Sequence, residues 1–505
     1  MSGAVLVLAF APVNLWPLSF VAFILLFFSL NGVSSWKARF LKGFIFGLVF
    51  FLGTVYWVIH SMYFYGGVPF YLGALVTLLL AAVLALYPAA FAVLGWLPVC
   101  KNKWVRLVFV AALWVAIEYL RSILFTGFPW VLLGYSLASF APLTQTAEIF
   151  GVWGVSFFIM FINAALFNAV DSFFAKKDRR EAVLPLAAAV IVFVVFLVYG
   201  VFRMQAVDKE VLSWKEYKAS LSQGNVEQSV KWEASEVLTT IEKYRALTKE
   251  AKNSGADIAV WPESAMTFYI DEAGKLTPLV TGAAKENNIY IVTGAPRREF
   301  NVFKKEEKFF NSAFMIDPSG NITGRYDKVH LVPFGEYVPL KNILFFIKKM
   351  TAGVGDFSAG EGYPTLKFDG ARIGTLICYE AVFPEISAAF TRHGANVLVN
   401  LTNDGWFGNT SAPYQHLDMT RFRAIENRVY LLRSANTGIS AVIDPAGRIV
   451  GRTELFKETN LTLPFRVRPE GRTFFSRFGM LFPFTTIIIS VILIILGRRK
   501  NAVNT

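Results

Sequence analysis

Several residue types on which common protein functions depend are scarce in this sequence. Only two cysteines, Cys100 and Cys378, occur among 505 residues, and the topology derived below separates them, so no disulfide is expected. The four histidines show no metal-ligand spacing, so we expect no catalytic metal. We expect no cofactor either. No nucleic-acid-binding motif accompanies the net charge of +13, so a nucleic-acid partner is not expected.

Acidic side chains are nearly absent from the first 202 residues, whereas residues 203–478 have an ordinary polar composition. The whole chain is 55% hydrophobic and 16% aromatic, well above the share in a soluble protein. We predict a transmembrane helical bundle over 1–202, an extracytoplasmic domain over 203–478, and a C-terminal transmembrane helix with a tail over 479–505. The acidic residues of the first part are Glu118, Glu148, Asp171, Asp178 and Glu181.

Long apolar segments predict about eight membrane spans, because crossing a bilayer takes about 20 apolar residues. The first segment, 3–13, is short. It fits a partial span or a hairpin arm closed by residues 12–17. No basic segment precedes it, so we do not interpret it as a signal peptide. The other seven segments are 15–31, 39–61, 71–98, 105–124, 150–173, 182–202 and 480–497.

Basic residues are concentrated in alternate connections between these segments. The positive-inside rule then places those connections and both termini in the cytoplasm and residues 203–478 on the opposite side. An unpaired Cys378 in a compartment that favours disulfides is typical of a thiol kept for its reactivity. The basic connections contain Lys37, Arg39, Lys42, Lys101, Lys103, Arg106, Lys176, Lys177, Arg179, Arg180 and the segment 498–500.

Two charged residues, Glu118 and Arg121, fall within the predicted fifth span and share one helix face. Charges inside a membrane indicate a functional site by default. Near a helix end, however, they fit simple pairing or snorkelling equally well. Both interpretations stay open from the sequence.

The soluble domain alternates between strand-like and helix-like patterns. Some consecutive strands have no helix between them, which indicates a mixed sheet in a layered α/β architecture. The predicted strands are 218–223, 257–262, 289–295, 311–317, 371–378, 395–401, 429–435 and 439–444. The predicted helices are 235–253, 275–287, 381–393 and 412–427.

Cys378 lies at a predicted corner between a strand and a helix. The preceding residues 372–377 are apolar and β-branched, as in a buried strand, and Pro384 fits the first turn of the following helix. Such a corner suits a nucleophile, because the strand fixes the backbone while the turn exposes the sulfur. The alternative is a buried core thiol, which is the commoner fate of cysteine.

Two further polar residues, Glu263 and Lys328, follow predicted strands. A thiol is mostly protonated at neutral pH, so a reactive one needs a base or a nearby positive charge. Glu263 is suited to accept the proton, and Lys328 is suited to stabilise a thiolate or an oxyanion. Considered singly, Glu263 also fits a helix cap and Lys328 a surface lysine.

The order of these motifs resembles the nitrilase superfamily of carbon–nitrogen hydrolases. The matching motifs are Trp-Pro-Glu-Ser at 261–264, Asp-Lys-Val-His-Leu-Val-Pro-Phe-Gly-Glu at 327–336 and Cys-Tyr-Glu at 378–380. Longer motifs resemble one membrane branch, the apolipoprotein N-acyltransferases, from residue 127 to the last span. These longer motifs are 224–232, 330–339, 400–408, 413–416 and 421–427.

This resemblance implies an αββα sandwich beside a helical membrane bundle. It also implies that Glu263 is the general base, Lys328 the oxyanion stabiliser and Cys378 the nucleophile. Glu336 matches the second glutamate of the family, which orients the lysine or binds the amine. Further residues match positions around the acyl pocket or its mobile loops, and they are Trp232, Tyr379, Glu380, Trp406 and Phe407.

The implied reaction is a two-step acyl transfer by a monomer in the bacterial inner membrane, with the catalytic domain on the periplasmic face. Cys378 takes an acyl chain from a phospholipid as a thioester. The amine of a diacylglyceryl-modified apolipoprotein then takes it from Cys378. The segment 344–350, apolar beside two lysines, fits either a headgroup contact or an ordinary amphipathic helix, and Gly353 and Gly355 fit hinges of a lid.

Two other functions stay possible on the residues alone. A membrane-tethered amidase or nitrilase acting on a soluble amide would use the same three residues. It would need water to resolve the thioester and a single anchor rather than eight spans. A transporter with an outer ligand-binding domain is disfavoured, because the predicted spans contain few polar groups and no repeat relates their halves.

Overall fold

The chain forms two compact units in this computed structural model. The described residues are 1–97, 99, 102–175, 179–272, 274–301, 306–337 and 356–503. The first unit contains residues 1–59, 71–206 and 478–505, and the second contains residues 60–70 and 207–477. The predicted division of the chain at 202 and 478 stays a prediction. The predicted headgroup segment 344–350 and its glycines, Gly353 and Gly355, lie outside the described residues.

Apolar helices dominate the first unit, whereas the second unit mixes helices with strands. The described α-helices are α1 (Ser2–Val7), α2 (Ile24–Leu30), α3 (Trp36–Val55), α4 (Trp57–Phe64), α5 (Phe70–Leu94), α6 (Lys103–Ile123), α7 (Ala147–Phe174), α8 (Arg179–Leu212), α9 (Glu236–Asn253), α10 (Thr277–Asn287), α11 (Pro384–Arg392), α12 (Ala412–Asn427), α13 (Phe474–Phe478) and α14 (Leu481–Val503).

Five helices within the described ranges are long and apolar enough to cross a membrane. They are α3, α5, α6 with a short 3-10 extension, α7 and α8. The predicted spans 15–31 and 480–497 correspond to shorter apolar helices, Trp16–Leu30 and Leu481–Gly497. The helical membrane part is therefore confirmed, while the exact count of eight spans is not.

The segment predicted as the first span, 3–13, is helical only in the six-residue α1. Turns follow from Leu8 onwards. Pro12 accounts for this boundary, because its ring clashes with a helical carbonyl four residues earlier.

Glu118 and Arg121 are both buried in α6 and bind the chain that follows it. The Glu118 carboxylate accepts the N–H of Leu133 at 2.7 Å. The Arg121 guanidinium donates to the carbonyls of Phe128 and Trp130, both at 2.8 Å. Backbone groups buried among apolar helices need such partners. Of the two interpretations left open by the sequence, these contacts favour a structural one.

The second unit is built on two six-stranded sheets. The described strands are β1 (Lys215–Gln223), β2 (Ile258–Val260), β3 (Tyr290–Asn301), β4 (Glu306–Ile316), β5 (Ile322–Asp327), β6 (Leu366–Phe368), β7 (Ala371–Ile377), β8 (Val397–Thr402), β9 (Leu431–Ala435), β10 (Ala441–Ile443), β11 (Ile449–Arg452) and β12 (Thr459–Val467). Their orders are β12-β1-β2-β3-β4-β5 and β11-β10-β9-β8-β7-β6.

The two sheets pack face to face between two helical layers. The Ser434 hydroxyl in β9 donates to the Val260 carbonyl in β2 at 2.8 Å, which joins the central strands of the sheets. Helix α9 packs on β1 and β12, with α10 beside it, and helices α11 and α12 pack on β7 and β9. Each sheet contains both parallel and antiparallel pairs. The predicted mixed αββα sandwich is confirmed.

All eight predicted strands and all four predicted helices of this unit are present, with ends that differ by a few residues. The strands that the sequence did not predict are β5, β6, β11 and β12, and these are the four edges of the two sheets. Edge strands are half-exposed, so their sequences are short, charged or interrupted, as Pro464 interrupts β12. The apolar pattern that identifies a strand is therefore weaker in these sequences than in a central strand.

Gly294 in β3 passes close to the turn that contains Glu263. A Cβ at this position would lie 2.5 Å from the Ser264 nitrogen and 2.8 Å from the Glu263 Cα. We expect Gly294→Ala to destabilise the protein by about 1–3 kcal/mol, because the overpacked backbone must move. The melting temperature of the purified protein measures this loss.

The control is Gly324→Ala in β5, where a Cβ would meet only the tip of the Leu366 side chain, at 3.2 Å. Its melting temperature should stay near the wild-type value. If both variants melted at the same temperature, the close approach at Gly294 would be refuted.

Candidate active site

Cys378 stands at the corner that the sequence predicted. It follows β7 directly and begins a short 3-10 helix, Cys378–Val382, after which α11 starts at Pro384. Its φ of 50° lies in the left-handed region, which costs a non-glycine residue about 1–3 kcal/mol. The residue as a whole is partly exposed, and its thiol forms no disulfide. A strained corner that presents a thiol is a frequent feature of active sites.

Glu263 follows β2, at the carboxyl end of that strand, and is buried. Its Oε1 accepts a hydrogen bond from the Asn311 amide at 2.8 Å. The same oxygen lies 3.8 Å from the Lys328 Nζ. The predicted base and the predicted lysine thus form a buried ion pair.

Lys328 follows β5 and is 1% exposed. Its Nζ lies 3.0 Å from the Glu336 carboxylate, and its backbone N–H donates to the Asn311 carbonyl at 2.9 Å. Glu336 in turn accepts the N–H of Val332 at 2.8 Å. The structure therefore brings Glu263 to Lys328 and Glu336, which are close to each other in the sequence but far from Glu263.

Asn311 in β4 is a site residue that the sequence analysis did not single out. Its amide donates one hydrogen to Glu263 and one to Glu336, each at 2.8 Å. A side-chain amide has two such hydrogens, so a single residue holds both carboxylates beside Lys328. The available signal was an asparagine inside a buried, apolar strand, where an amide requires partners.

Lys231 is a second residue that the sequence analysis left without a role. It is 1% exposed, and its Nζ donates to the Glu263 backbone carbonyl at 3.2 Å. Burial lowers the pKa of Lys231 to about 8, although the nearby Glu263 carboxylate favours the charged form. Its place beside Trp232 in the motif 224–232 was the available signal.

The electrostatics of the site keep Cys378 protonated at rest. Burial, and then the neighbouring Glu263 carboxylate, raise the pKa of Cys378 to about 12, while Lys328 acts in the opposite direction. Burial raises the pKa of Glu263, and Lys328 opposes this shift. Burial alone would lower the pKa of Lys328, but Glu336 and Glu263 outweigh it and raise the pKa above its usual range. The thiol therefore needs a base, and Lys328 is a permanent cation.

Glu380 is fully buried and ties the Cys378 corner to the lysine segment. One of its oxygens accepts the N–H of Ile377 at 2.8 Å. The other accepts the Tyr326 hydroxyl at 2.7 Å and the N–H of Val329 at 2.8 Å. Burial raises the pKa of Glu380 to about 7, against the opposing effect of Lys328. In the structure it holds these two segments together.

Two of the predicted aromatic site residues, Tyr379 and Phe407, pack near the Cys378 corner. The Tyr379 ring lies 5.0 Å from the Phe383 ring. The Trp406 and Phe407 rings belong to the turn after β8, and Phe407 lies 6.3 Å from the His416 ring.

Trp406 and Trp232 are the predicted residues that stand apart. The Trp406 ring packs 5.3 Å from Tyr65, and Trp232 is half-buried. Neither residue hydrogen-bonds to or stacks on Glu263, Lys328 or Cys378 within the described part of the chain.

No group of three or more His, Cys, Asp or Glu side chains among the described residues is arranged to bind a metal ion. The site itself presents a thiol, a carboxylate and an ammonium group. Such a set supports nucleophilic attack on a carbonyl, proton transfer and stabilisation of an oxyanion.

Family models of known proteins match parts of both units. The carbon-nitrogen hydrolase family model matches residues 218–464, and the model of the apolipoprotein N-acyltransferase N-terminal domain matches residues 2–165. Among solved structures, Saccharomyces cerevisiae Nit3, a member of branch 10 of the nitrilase superfamily, matches 50% of this chain and 90% of its own, with a TM-score of 0.39 and 19% identity.

Sequence relatives match this chain from end to end. The apolipoprotein N-acyltransferase of Geobacter metallireducens is 38% identical over 100% of this chain and 95% of its own. That of Bradyrhizobium diazoefficiens is 34% identical over 99% of this chain and 94% of its own. With the membrane helices and the sandwich both included in these matches, the chain belongs to the apolipoprotein N-acyltransferase family.

Proposed function

We propose that this protein transfers a fatty acyl chain from a phospholipid to the N-terminal amine of the diacylglyceryl-cysteine of apolipoproteins, through a thioester on Cys378. The observation that carries the proposal is the buried contact of Glu263, Lys328 and Glu336, beside a strained cysteine corner. The five membrane-length apolar helices of the described chain support lipid substrates. The names of the sequence relatives support the same reaction.

In the first step, Glu263 takes the proton of the Cys378 thiol as the sulfur attacks the ester carbonyl of the phospholipid. Lys328 stabilises the negative charge that develops on the carbonyl oxygen, because its ammonium is buried and already in place. The carbon–oxygen ester bond then breaks, and the leaving alkoxide takes the proton from Glu263. The products are the acyl thioester and a lysophospholipid.

In the second step, the free amine of the diacylglyceryl-cysteine attacks the thioester carbonyl. Glu263 accepts the proton that the amine loses, and Lys328 again stabilises the oxyanion. The carbon–sulfur bond breaks, and the proton returns to the Cys378 sulfur. The thioester divides one difficult transfer into two easier ones.

The remaining site residues take supporting roles in this proposal. Glu336 orients Lys328, since its carboxylate lies 3.0 Å from the ammonium, and Glu380 holds the Cys378 corner against the lysine segment. The aromatic side chains border the acyl chain, and they are Trp232, Tyr379, Trp406 and Phe407.

The protein acts, in this proposal, as a monomer in the cytoplasmic membrane of a bacterium. The catalytic domain lies on the periplasmic face, as the basic connections of the membrane part predict. A site held at a bilayer meets two lipid substrates at high effective concentration. A tethered amidase would use the same three groups with water as acceptor, but would not use a bundle of apolar helices.

Intact-mass spectrometry after incubation with phospholipid, without an acceptor, tests the thioester. We expect a fatty-acyl adduct on the wild-type protein and on Cys100→Ala, which changes the other cysteine, and no adduct on Cys378→Ala. A diacylglyceryl-cysteine peptide should discharge the adduct much faster than water. Turnover of a soluble amide without any lipid adduct would favour the tethered amidase instead.

The pH dependence of thioester formation tests Glu263 as the base. Burial raises the pKa of Glu263, and the Lys231 ammonium, which favours the ionised carboxylate, counteracts part of this shift. Removing that cation in Lys231→Met should raise the pKa of Glu263, so that less of it is ionised at low pH. The acidic limb of the rate profile should therefore move to higher pH.

Lys243→Met is the matched control, because Lys243 also donates to a backbone carbonyl, that of Gly224, at 3.0 Å. Its profile should coincide with the wild-type profile. An acidic limb that moves to lower pH in Lys231→Met, or does not move, would contradict the assignment of the base.

A further inference from the structure

A buried cluster of charged and polar side chains lies behind the Cys378 corner. Its members are Asp404 after β8, His416 in α12 and Arg433 in β9, and each is at most 1% exposed. The Arg433 guanidinium lies 2.6 Å from the Asp404 carboxylate and 3.1 Å from the His416 Nδ1. Burying an ion pair is costly unless its remaining groups are also satisfied. The roles assigned above leave this cluster unexplained.

Through His416 the cluster contacts the backbone of Cys378, the proposed nucleophile. The His416 Nε2 lies 3.2 Å from the Cys378 carbonyl oxygen. A carbonyl only accepts, so Nε2 must carry the proton and donate it. The His416 Nδ1 lies 3.1 Å from the Arg433 guanidinium and 3.1 Å from the Asp404 carboxylate. In a neutral ring Nδ1 therefore accepts from Arg433, and in a charged ring it donates to Asp404. Burial and the Arg433 charge lower the pKa of His416, which favours the neutral ring.

This hydrogen bond fixes the plane of one peptide. A peptide bond is planar and trans, so the N–H of Tyr379 points opposite to the carbonyl of Cys378. With the carbonyl held by His416, the Tyr379 N–H points away from His416. The left-handed φ of Cys378, 50°, means that the chain does not favour this orientation by itself.

We propose that His416 is a positioning residue, which Asp404 and Arg433 hold so that it orients the Cys378–Tyr379 peptide and directs the Tyr379 N–H at the oxyanion of each tetrahedral intermediate. This inference rests on the proposed acyl transfer. Both steps pass through such an oxyanion, so both should depend on His416. Loss of one oxyanion donor typically slows a reaction by about 100-fold or more.

A competing hypothesis is that the same cluster acts on the Cys378 sulfur, through Thr402, rather than on the peptide. The Thr402 hydroxyl donates to the Asp404 carboxylate at 2.9 Å, and Thr402 follows Leu401, the residue paired with Ile377 across β7 and β8. Through Thr402 the cluster would tune the acidity of the thiol instead. Alkylation of the thiol by iodoacetamide distinguishes the two routes, because it requires a thiolate but forms no oxyanion.

The test compares His416→Phe, which keeps a ring without the donor, with His416→Gln, whose amide restores a donor. Both are made in the full-length protein with Cys100→Ala, so that Cys378 is the only thiol. Intact mass follows acyl-enzyme formation from phospholipid and its discharge by a diacylglyceryl-cysteine peptide. His393→Phe is the matched control, because the His393 Nδ1 also bonds a backbone carbonyl, that of Ala389, at 2.8 Å.

We expect His416→Phe to slow acylation and discharge by about 100-fold each, with an unchanged rate of alkylation. His416→Gln should recover most of the acyl-transfer rate, and His393→Phe should match the wild-type protein. Alkylation that slows in parallel with acylation in His416→Phe would overturn the inference in favour of the Thr402 route.

Two further outcomes separate this inference from the proposed function. If the wild-type protein forms no acyl-enzyme, the proposed function fails, and the inference fails with it. If the wild-type protein acylates and folded His416→Phe acylates equally fast, only the inference fails. If His416→Phe does not fold, His416→Leu replaces it. An acyl-transfer rate that falls as far in His416→Gln as in His416→Leu would then refute the need for a hydrogen-bond donor.

Discussion

The arrangement of the catalytic unit depends on one buried cation held between two carboxylates. Lys328 lies 3.0 Å from Glu336 and 3.8 Å from Glu263, and the Asn311 amide joins the two carboxylates at 2.8 Å each. Removing the Lys328 charge would leave two carboxylates buried side by side without this cation, which is strongly unfavourable. These residues come from different strand ends and loops, so their contact requires the strands of this sheet to be in register.

The central part of the fold followed from the sequence, because buried strands and amphipathic helices carry strong periodic signals. The four edge strands could not be predicted in this way. An edge strand such as β12, which contains Pro464, faces solvent as well as the core, so its residues need not follow an apolar pattern. The membrane part was recognised by its apolar length. The count of eight spans was not confirmed, because three predicted spans correspond to shorter helices in the described residues. In the first of them Pro12 limits the helix to six residues.

The proposed catalytic residues were identified by motif and order, whereas the groups that hold them were not. Asn311, Lys231 and His416 each contact a site residue through hydrogen bonds between distant parts of the chain. Nothing in their local sequence gives those partners, because a buried amide or ammonium shows only that a partner exists. Glu380 was assigned to the pocket surroundings, and only the structure gives its hydrogen bonds to both segments.

The hydrogen bonds at Glu263 also make its two oxygens chemically unequal. Asn311 and Lys328 both lie at Oε1, so in the proposed mechanism the proton goes to Oε2. A carboxylic acid formed there would keep its contacts at Oε1 and would not need to rotate between accepting and returning a proton. One oxygen would then hold the side chain while the other carries the proton, so that Asn311 and Lys328 keep their positions as the Glu263 charge is neutralised and restored.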